Sequence, residues 1–197
     1  MERLFTSTYF GGQRMKKILI AVLTLGLVFT LASDNLFAGG IGIKGGYSFM
    51  QNDFDDPFKF KDTYNFGVYF DMGTFLFSSL RFRPGVDYVT LEQDLDNGTG
   101  TLDADLWGIH FDWYWHFLGN ASISPFIGFG PTLNYYDWDR TENDDDSDAG
   151  VDLFAGLTFG ISGTPFELML EARYKFVDIA ETDQNILQAN IGILYKF

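Results

Sequence analysis

From Gly40 onward, apolar and polar residues alternate with period two, and no stretch of this region carries a convincing helical period. In the stretch 40–50, Ile41, Ile43, Tyr47 and Phe49 share one face and Gly42, Lys44, Gly46 and Ser48 the other. The same pattern recurs at 63–73, 79–90, 105–117, 122–136, 150–161, 166–177 and 185–197. The clearest case is HFDWYWHF, residues 110–117, with its surroundings. Trp107, Ile109, Phe111, Trp113, Trp115 and Phe117 fall on one face, and Gly108, His110, Asp112, Tyr114 and His116 on the other. The alternation predicts eight strands, most of them near the ~9–11 residues that cross a bilayer at a tilt.

The connections alternate in character. Residues 51–62, 91–104, 137–149 and 178–184 are polar and acidic, whereas 74–78, 118–121 and 162–165 are shorter and carry little charge. Long loops at one end and short turns at the other are the mark of a membrane barrel. An even strand count places both termini at the short-turn, periplasmic end. The expected fold is all-β, an eight-stranded antiparallel up-and-down transmembrane β-barrel. Pro84, Pro125 and Pro131 lie inside strands, where each removes a backbone donor, so bulges or strand ends are expected there.

Charge decides which face is the inside. Within the strand cores the apolar face carries no ionised residue. The other face carries six acids, Asp71, Asp87, Asp112, Asp152, Glu167 and Glu171, and six bases, Lys44, Arg81, Arg83, Arg173, Lys175 and Lys196. A solvated face has no reason to balance so evenly. A narrow lumen does, because charges withdrawn from bulk water need partners. The apolar face is therefore expected to meet lipid, and the twelve charges to form a network across the lumen. The glycines among them suit a small, crowded interior.

Composition adds location. Aromatics make up 18% of the 197 residues, there are 22 glycines, and there is no cysteine. Disulfides, thiolate metal sites, cysteine nucleophiles and a lipoprotein anchor are thereby excluded. The formal net charge of −14 argues against nucleic acid as a partner. Lys16 and Lys17 precede the apolar run 18–32, and Leu36-Phe37-Ala38 leads into Gly39. This order matches a secretory signal peptide over 15–38, with cleavage expected after Ala38 or, as a second choice, after Ser33. Residues 1–14 do not fit such a signal and are read as an upstream extension, with Met15 the expected initiator. Loss of 1–38 would remove four bases and two acids, leaving a net charge of −16 over the barrel domain, 39–197.

The chain closes on Ile191-Gly192-Ile193-Leu194-Tyr195-Lys196-Phe197, with apolar or aromatic residues at alternate positions and a C-terminal Phe. Ile191, Ile193, Tyr195 and Phe197 look like the signal by which the bacterial insertion machinery recognises outer-membrane barrels. With the leader and the eight stretches, residues 39–197 resemble the small outer-membrane β-barrel family of OmpA-type and OmpX-type domains. The resemblance implies the outer membrane of a Gram-negative bacterium, contact with lipid and lipopolysaccharide, and a monomer. It does not imply an activity, because the family shares a shape across adhesins, structural proteins, small channels and a few enzymes.

His110, Asp112, Tyr114 and His116 are the residues that invite a chemical reading. Six residues of strand span ~20 Å, so the two histidines cannot share a metal. His110 and Asp112 would need a further ligand from a neighbouring strand. The plainer reading is that all four fill the lumen. The His-x-Ser pair of the deacylase barrels is absent, since Asp112 follows His110 and Leu118 follows His116. The surface loop histidine of the palmitoyltransferase barrels has no counterpart either. No catalytic residue and no cofactor are expected. Asp137, Asp139, Glu142, Asp144, Asp145, Asp146 and Asp148 crowd one acidic loop whose oxygens could take Ca²⁺ or Mg²⁺, although the spacing is not that of an EF-hand. The expected role is structural or surface-interacting, through acidic extracellular loops over a filled lumen. The competing readings are a small-solute or OmpW-like channel and, less favoured, a lipid A-modifying enzyme.

Overall fold

A computed structural model of the chain describes residues 39–51, 60–74, 79–94, 101–118, 121–138, 146–179 and 182–197. Eight strands run in chain order: β1 (Gly40–Gln51), β2 (Thr63–Asp71), β3 (Leu80–Asp94), β4 (Thr101–His116), β5 (Ile123–Trp138), β6 (Asp146–Gly160), β7 (Phe166–Ile179) and β8 (Thr182–Lys196). Each pairs antiparallel with its neighbours, and β8 returns to β1, so the sheet is a closed up-and-down barrel. The seam of closure is long, from Gly40↔Lys196 to Gln51↔Asn185. At its base the Phe197 amide donates to the Gly39 carbonyl at 3.0 Å. The expected leader and upstream extension lie outside the described residues.

The period-two pattern resolves as two faces of unlike environment. Ile191 on the outer face is 61% exposed, whereas Arg173 on the inner face is 0%. Ionised residues pointing into a closed interior, with Ile, Leu, Phe and Val left outside, invert the layout of a soluble barrel, and lipid is the solvent that allows it. Trp115, Phe117, Phe166, Tyr195 and Phe197 sit on the outer face at the end that carries both termini, where they form an aromatic girdle.

Several strands outrun their expected ends. β3 and β4 form a ladder up to Asp94↔Thr101, so much of the supposed loop 91–104 is strand. β5 and β6 pair up to Tyr136↔Asp146, and β7 and β8 up to Ile179↔Thr182. The cause is a reversal of sign. Above Tyr88 and Trp107 the inward positions become apolar (Val89, Leu91, Ala104, Leu106) and outward ones polar (Thr90, Glu92, Asp103, Asp105). A strand leaving lipid for water must turn polar outside and is free to turn apolar inside. The period persists while its polarity flips, and an alternation of constant sign therefore stops short.

The prolines behave as their missing donors require. At Pro84 the β2–β3 ladder breaks off after Tyr69↔Gly85 and resumes one residue out of register at the Thr74↔Arg81 bridge, which is a bulge. The β4–β5 ladder skips Pro131, going from His110↔Thr132 to Trp113↔Phe129. It ends at His116↔Phe126, beside Pro125.

Deletion of Phe197 is expected to impair barrel assembly strongly, because it removes both the final aromatic of the outer girdle and the last hydrogen bond of the seam. Deletion of residues 139–145, which join β5 to β6, should impair it far less. The measurement is the fraction of each variant that reaches the heat-modifiable folded band in outer-membrane extracts. Equal recovery of the two would count against Phe197 as an assembly determinant.

Candidate functional site

The lumen is filled in tiers, each built by side chains at alternate positions of neighbouring strands. At the periplasmic floor Arg81 pairs with Asp71 at 3.0 Å, and the Tyr114 hydroxyl donates to the same carboxylate at 2.7 Å. The second oxygen of Asp71 accepts the Gly73 amide at 2.7 Å. Lys196 and Glu167 pair at 2.5 Å beside them.

The next tier is apolar and aromatic: Tyr69, Tyr114, Phe126, Phe154, Met169 and Leu194. Arg83 projects its guanidinium among four of these rings. Its central carbon lies 4.9 Å from the Tyr114 centroid, 5.0 Å from Tyr69, 5.2 Å from Phe154 and 5.9 Å from Phe126. Such contacts strengthen when water is excluded.

Above the rings lies the centre of the charge network. On β7, Glu171, Arg173 and Lys175 are spaced by two and all point inward. Arg173 donates through Nη1 to Asp152 at 2.6 Å, through Nη1 and Nη2 to the two oxygens of Asp112 at 3.2 and 2.5 Å, and through Nε to Glu171 at 3.0 Å. The Asp112 contact is the bidentate fork that a planar guanidinium makes best. Arg83 donates to Glu171 at 2.5 Å and to Asp112 at 3.3 Å. Lys44 reaches Glu171 at 3.4 Å, and Lys175 reaches Asp87 at 2.8 Å. All twelve charged residues singled out on this face therefore stand in ion pairs.

Beside the charges lie neutral polar groups. Asn65 and Gln188 both donate to the Ser48 hydroxyl, at 3.0 and 3.2 Å. The extracellular tier closes the column with Met50, Phe60, Val89, Leu91, Ala104, Leu106, Tyr136, Val177 and Ile186. Phe60 belongs to the β1–β2 connection and is 5% exposed, so that connection contributes a side chain to the cap.

Among the described residues neither histidine is gathered with two other ligand side chains. His110 Nδ1 is 3.2 Å from Asp112 Oδ2, an ion-pair distance without hydrogen-bond geometry. Its cross-strand neighbours are Gly85 and Thr132, neither of which supplies a strong third ligand. Among the described residues no group of three or more His, Cys, Asp or Glu side chains is placed to hold a metal. His116 Nδ1 lies 2.9 Å from Ser124 Oγ, a pairing that sequence spacing did not reveal because the serine comes from the neighbouring strand. A hydroxyl beside an imidazole is a nucleophile–base arrangement in outline. Here it is buried in the lumen floor, Ser124 1% and His116 2% exposed, and His116 Nε2 has no hydrogen-bond partner to orient the ring.

The acidic residues read as one loop are divided. Asp137 belongs to β5, and Asp146 and Asp148 belong to β6, because the strands continue above the membrane. Asp139, Glu142, Asp144 and Asp145 lie outside the described residues. Ile191, Ile193, Tyr195 and Phe197 line the outer face in a row, with Tyr195 in ring contact with Phe166 at 5.4 Å. Phe126, Phe154, Met169 and Leu194 were missed as lumen residues, yet the signal was present. Each keeps the phase of the inward polar residues around it, as Phe154 does between Asp152 and Gly156.

The outer membrane protein β-barrel domain family matches residues 20–197. The chain belongs to that family. It is a protein of the Gram-negative outer membrane. Among solved structures it is similar to Neisserial surface protein A, 15% identical with a TM-score of 0.62, over 81% of this chain and 97% of that one. It is also similar to OprG of Pseudomonas aeruginosa, 12% identical with a TM-score of 0.58, over 82% and 97%. Ail, the attachment invasion locus protein of Yersinia pestis, is 13% identical with a TM-score of 0.53, over 81% and 97%. At these identities the likeness is one of fold. No curated protein matches the chain.

Proposed function

We propose that the protein is a non-enzymatic barrel with a structural or surface-interacting role, exercised by its acidic extracellular end while the lumen stays closed. The observation that carries this reading is the filled column: a caged arginine, a buried ion-pair network and an apolar cap, stacked along the axis. Eight-stranded barrels have interiors just wide enough for their own side chains. A permeating solute would have to break several buried pairs at once, so the work is left to the surface.

The outward ends of β3, β4 and β5 support the choice of surface. Glu92 faces Asp103, and Asp105 faces Asp137, as direct cross-strand partners on the outer side. Like charges in that relation repel. Lys61 offsets Glu92 at 2.7 Å, and the Tyr88 hydroxyl donates to Asp105 at 2.6 Å. The remaining negative field suits Ca²⁺ or Mg²⁺ bridging to lipopolysaccharide, or a partner that presents cations. One Ail structure contains the heparin analogue sucrose octasulfate, a polyanion. The acids here carry the same sign as such a ligand, so a polyanion would be repelled unless metal ions intervened. Contact with the insertion machinery during assembly belongs to the same proposal.

The test is conductance of the refolded protein in a planar bilayer. No resolved single-channel steps are expected between pH 6 and 8. Reproducible steps would overturn the closed-lumen reading and restore the small-solute channel.

A further inference from the structure

On its extracellular side the barrel wall forks between β6 and β7. The β6–β7 ladder climbs from Gly160↔Glu167 to Val151↔Phe176 and stops. Both strands continue, but with their other neighbours: β6 stays on β5 as far as Tyr136↔Asp146, and β7 stays on β8 as far as Ile179↔Thr182. The β2–β3 seam also ends early, but there the Lys61 amide bridges to the Glu92 carbonyl at 2.8 Å.

A cavity of about 500 Å³ occupies the β6–β7 fork. Its lining comes from both sides of the wall. Asp148, Gly150 and Val177 stand at inward positions, and Ala149, Val151, Phe176 and Asn185 at outward ones. The cavity is thus a cleft through the sheet. A side chain at Gly150 would collide with the Phe176 carbonyl oxygen, so glycine is what lets the β7 backbone come this close at the base of the fork. Val177 also belongs to the apolar cap inside the barrel, which backs the cleft with hydrophobic side chains.

We propose that this cleft binds the alkyl chain of a single-chain cationic amphiphile, of the long-chain amine class, with its ammonium group at Asp148. Ala149, Val151, Phe176 and Val177 supply the apolar walls, and Asp148 is the ionised residue among the described residues of the lining. The volume falls within the ~300–1,000 Å³ usual for small-ligand sites, which combine apolar walls with a few placed polar groups. Phe176 lies beside Tyr174 on the outer face, with ring centroids 4.9 Å apart, so the cleft opens at an aromatic edge of the wall. A volume of about 500 Å³ suits one alkyl chain better than two. The head-group sign follows from charge: Asp148 in the lining and a net charge of −14 favour a cation and repel a carboxylate or phosphate head.

The experiment uses the full barrel in lipid nanodiscs and two photoreactive probes. Dodecylamine and dodecanoic acid each carry a diazirine near the chain end, and adducts are mapped by mass spectrometry. The amine should label residues 149–151 and 176–177 about tenfold more than the acid does, a difference of ~1.4 kcal/mol. Val151→Trp should remove labelling by both probes, and Ala149→Phe gives a second way to fill the cleft if the first variant folds poorly. Asp148→Asn should bring the two probes to equal labelling while the chain still enters. The proposal falls if the amine labels Ile127 and Ile191 on the lipid face as strongly as Val151. It falls equally if the two probes label the unaltered protein alike, or if labelling survives a filled cleft in a folded variant. Conductance reports on the lumen and labelling on the wall, so failure of one reading leaves the other standing.

Discussion

Arg173→Met is expected to destabilise the folded barrel by about 3–5 kcal/mol, the usual consequence of removing one partner of a buried ion pair. Arg173 is fully buried and serves three carboxylates, those of Asp112, Asp152 and Glu171. Methionine fills much of the same volume, so lost packing is a minor part of the effect. The larger part is three acids left with fewer cations in a closed interior. Lys175, 3.7 Å from Asp152, and Arg83, 2.5 Å from Glu171, can take up some of the deficit, but Asp112 loses its bidentate partner. Ile109→Val on the lipid face is the reference. In a soluble core it would cost roughly 0.5–1.5 kcal/mol, and here less, because lipid follows the retreating surface. Urea titration of the folded protein in detergent compares the two. Adding Asp112→Asn to Arg173→Met should recover part of the loss, since the deficit of positive charge shrinks. If Arg173→Met leaves both the urea midpoint and the conductance unchanged, the lumen is hydrated and its pairs are weaker than their distances imply.

Much of this network is legible in the sequence. Inward phase identifies Glu171, Arg173 and Lys175 as neighbours on one face, and the six-to-six balance of charge says that their partners lie across the barrel. The pairing itself is not in the sequence. That Arg173 takes Asp112 and Asp152 while Lys175 takes Asp87 follows from strand stagger, which sets the height of each residue in the lumen. The cage around Arg83 was half legible, because Tyr69 and Tyr114 were in phase with polar neighbours, and Phe126 and Phe154 were overlooked although their phase was the same. A large apolar residue inside an otherwise polar face looks like noise in the alternation until an arginine is seen between the rings.

The extracellular third was misread for a different reason. Leu91, Ala104 and Leu106 form the cap, but the surrounding Glu92, Asp103 and Asp105 made the segment look like loop. Polarity had changed sign at the membrane boundary while the strand continued. The β6–β7 fork was not legible at all. Neither the end of a ladder nor a cleft through a wall leaves a periodic trace, and Val151 and Phe176 look like any other lipid-facing pair. His116 and Ser124 lie eight positions apart and meet only because one turn brings their strands side by side.

Gly46→Val is expected to prevent closure of the barrel, whereas Gly45→Ala, one residue away, should be nearly silent. Gly46 lies inside the seam between the first and last strands, opposite Asn190. A Cβ there would overlap the Ala189 carbonyl oxygen and lie 2.5 Å from Asn190 Oδ1. The side-chain contact can rotate away. The carbonyl cannot, because it belongs to the ladder that joins β1 to β8. Overpacking of a well-filled interior typically costs ~1–3 kcal/mol, and here the strain falls on backbone that must stay in register from Gly40 to Gln51, so the cost should reach or exceed the upper end of that range. Gly45 points to the other side, where the nearest atom to an added Cβ is the Asn65 carbonyl oxygen at an ordinary 3.5 Å. A methyl there adds apolar surface on the lipid side, and the change should stay within about 0.5 kcal/mol. Refolding yield into the heat-modifiable form, followed by urea titration of whatever folds, separates the two outcomes. Equal yields and equal midpoints would mean that β1 and β8 stand farther apart at this height than the seam requires, and the closure of the barrel would then have to rest on the rungs below Gly46.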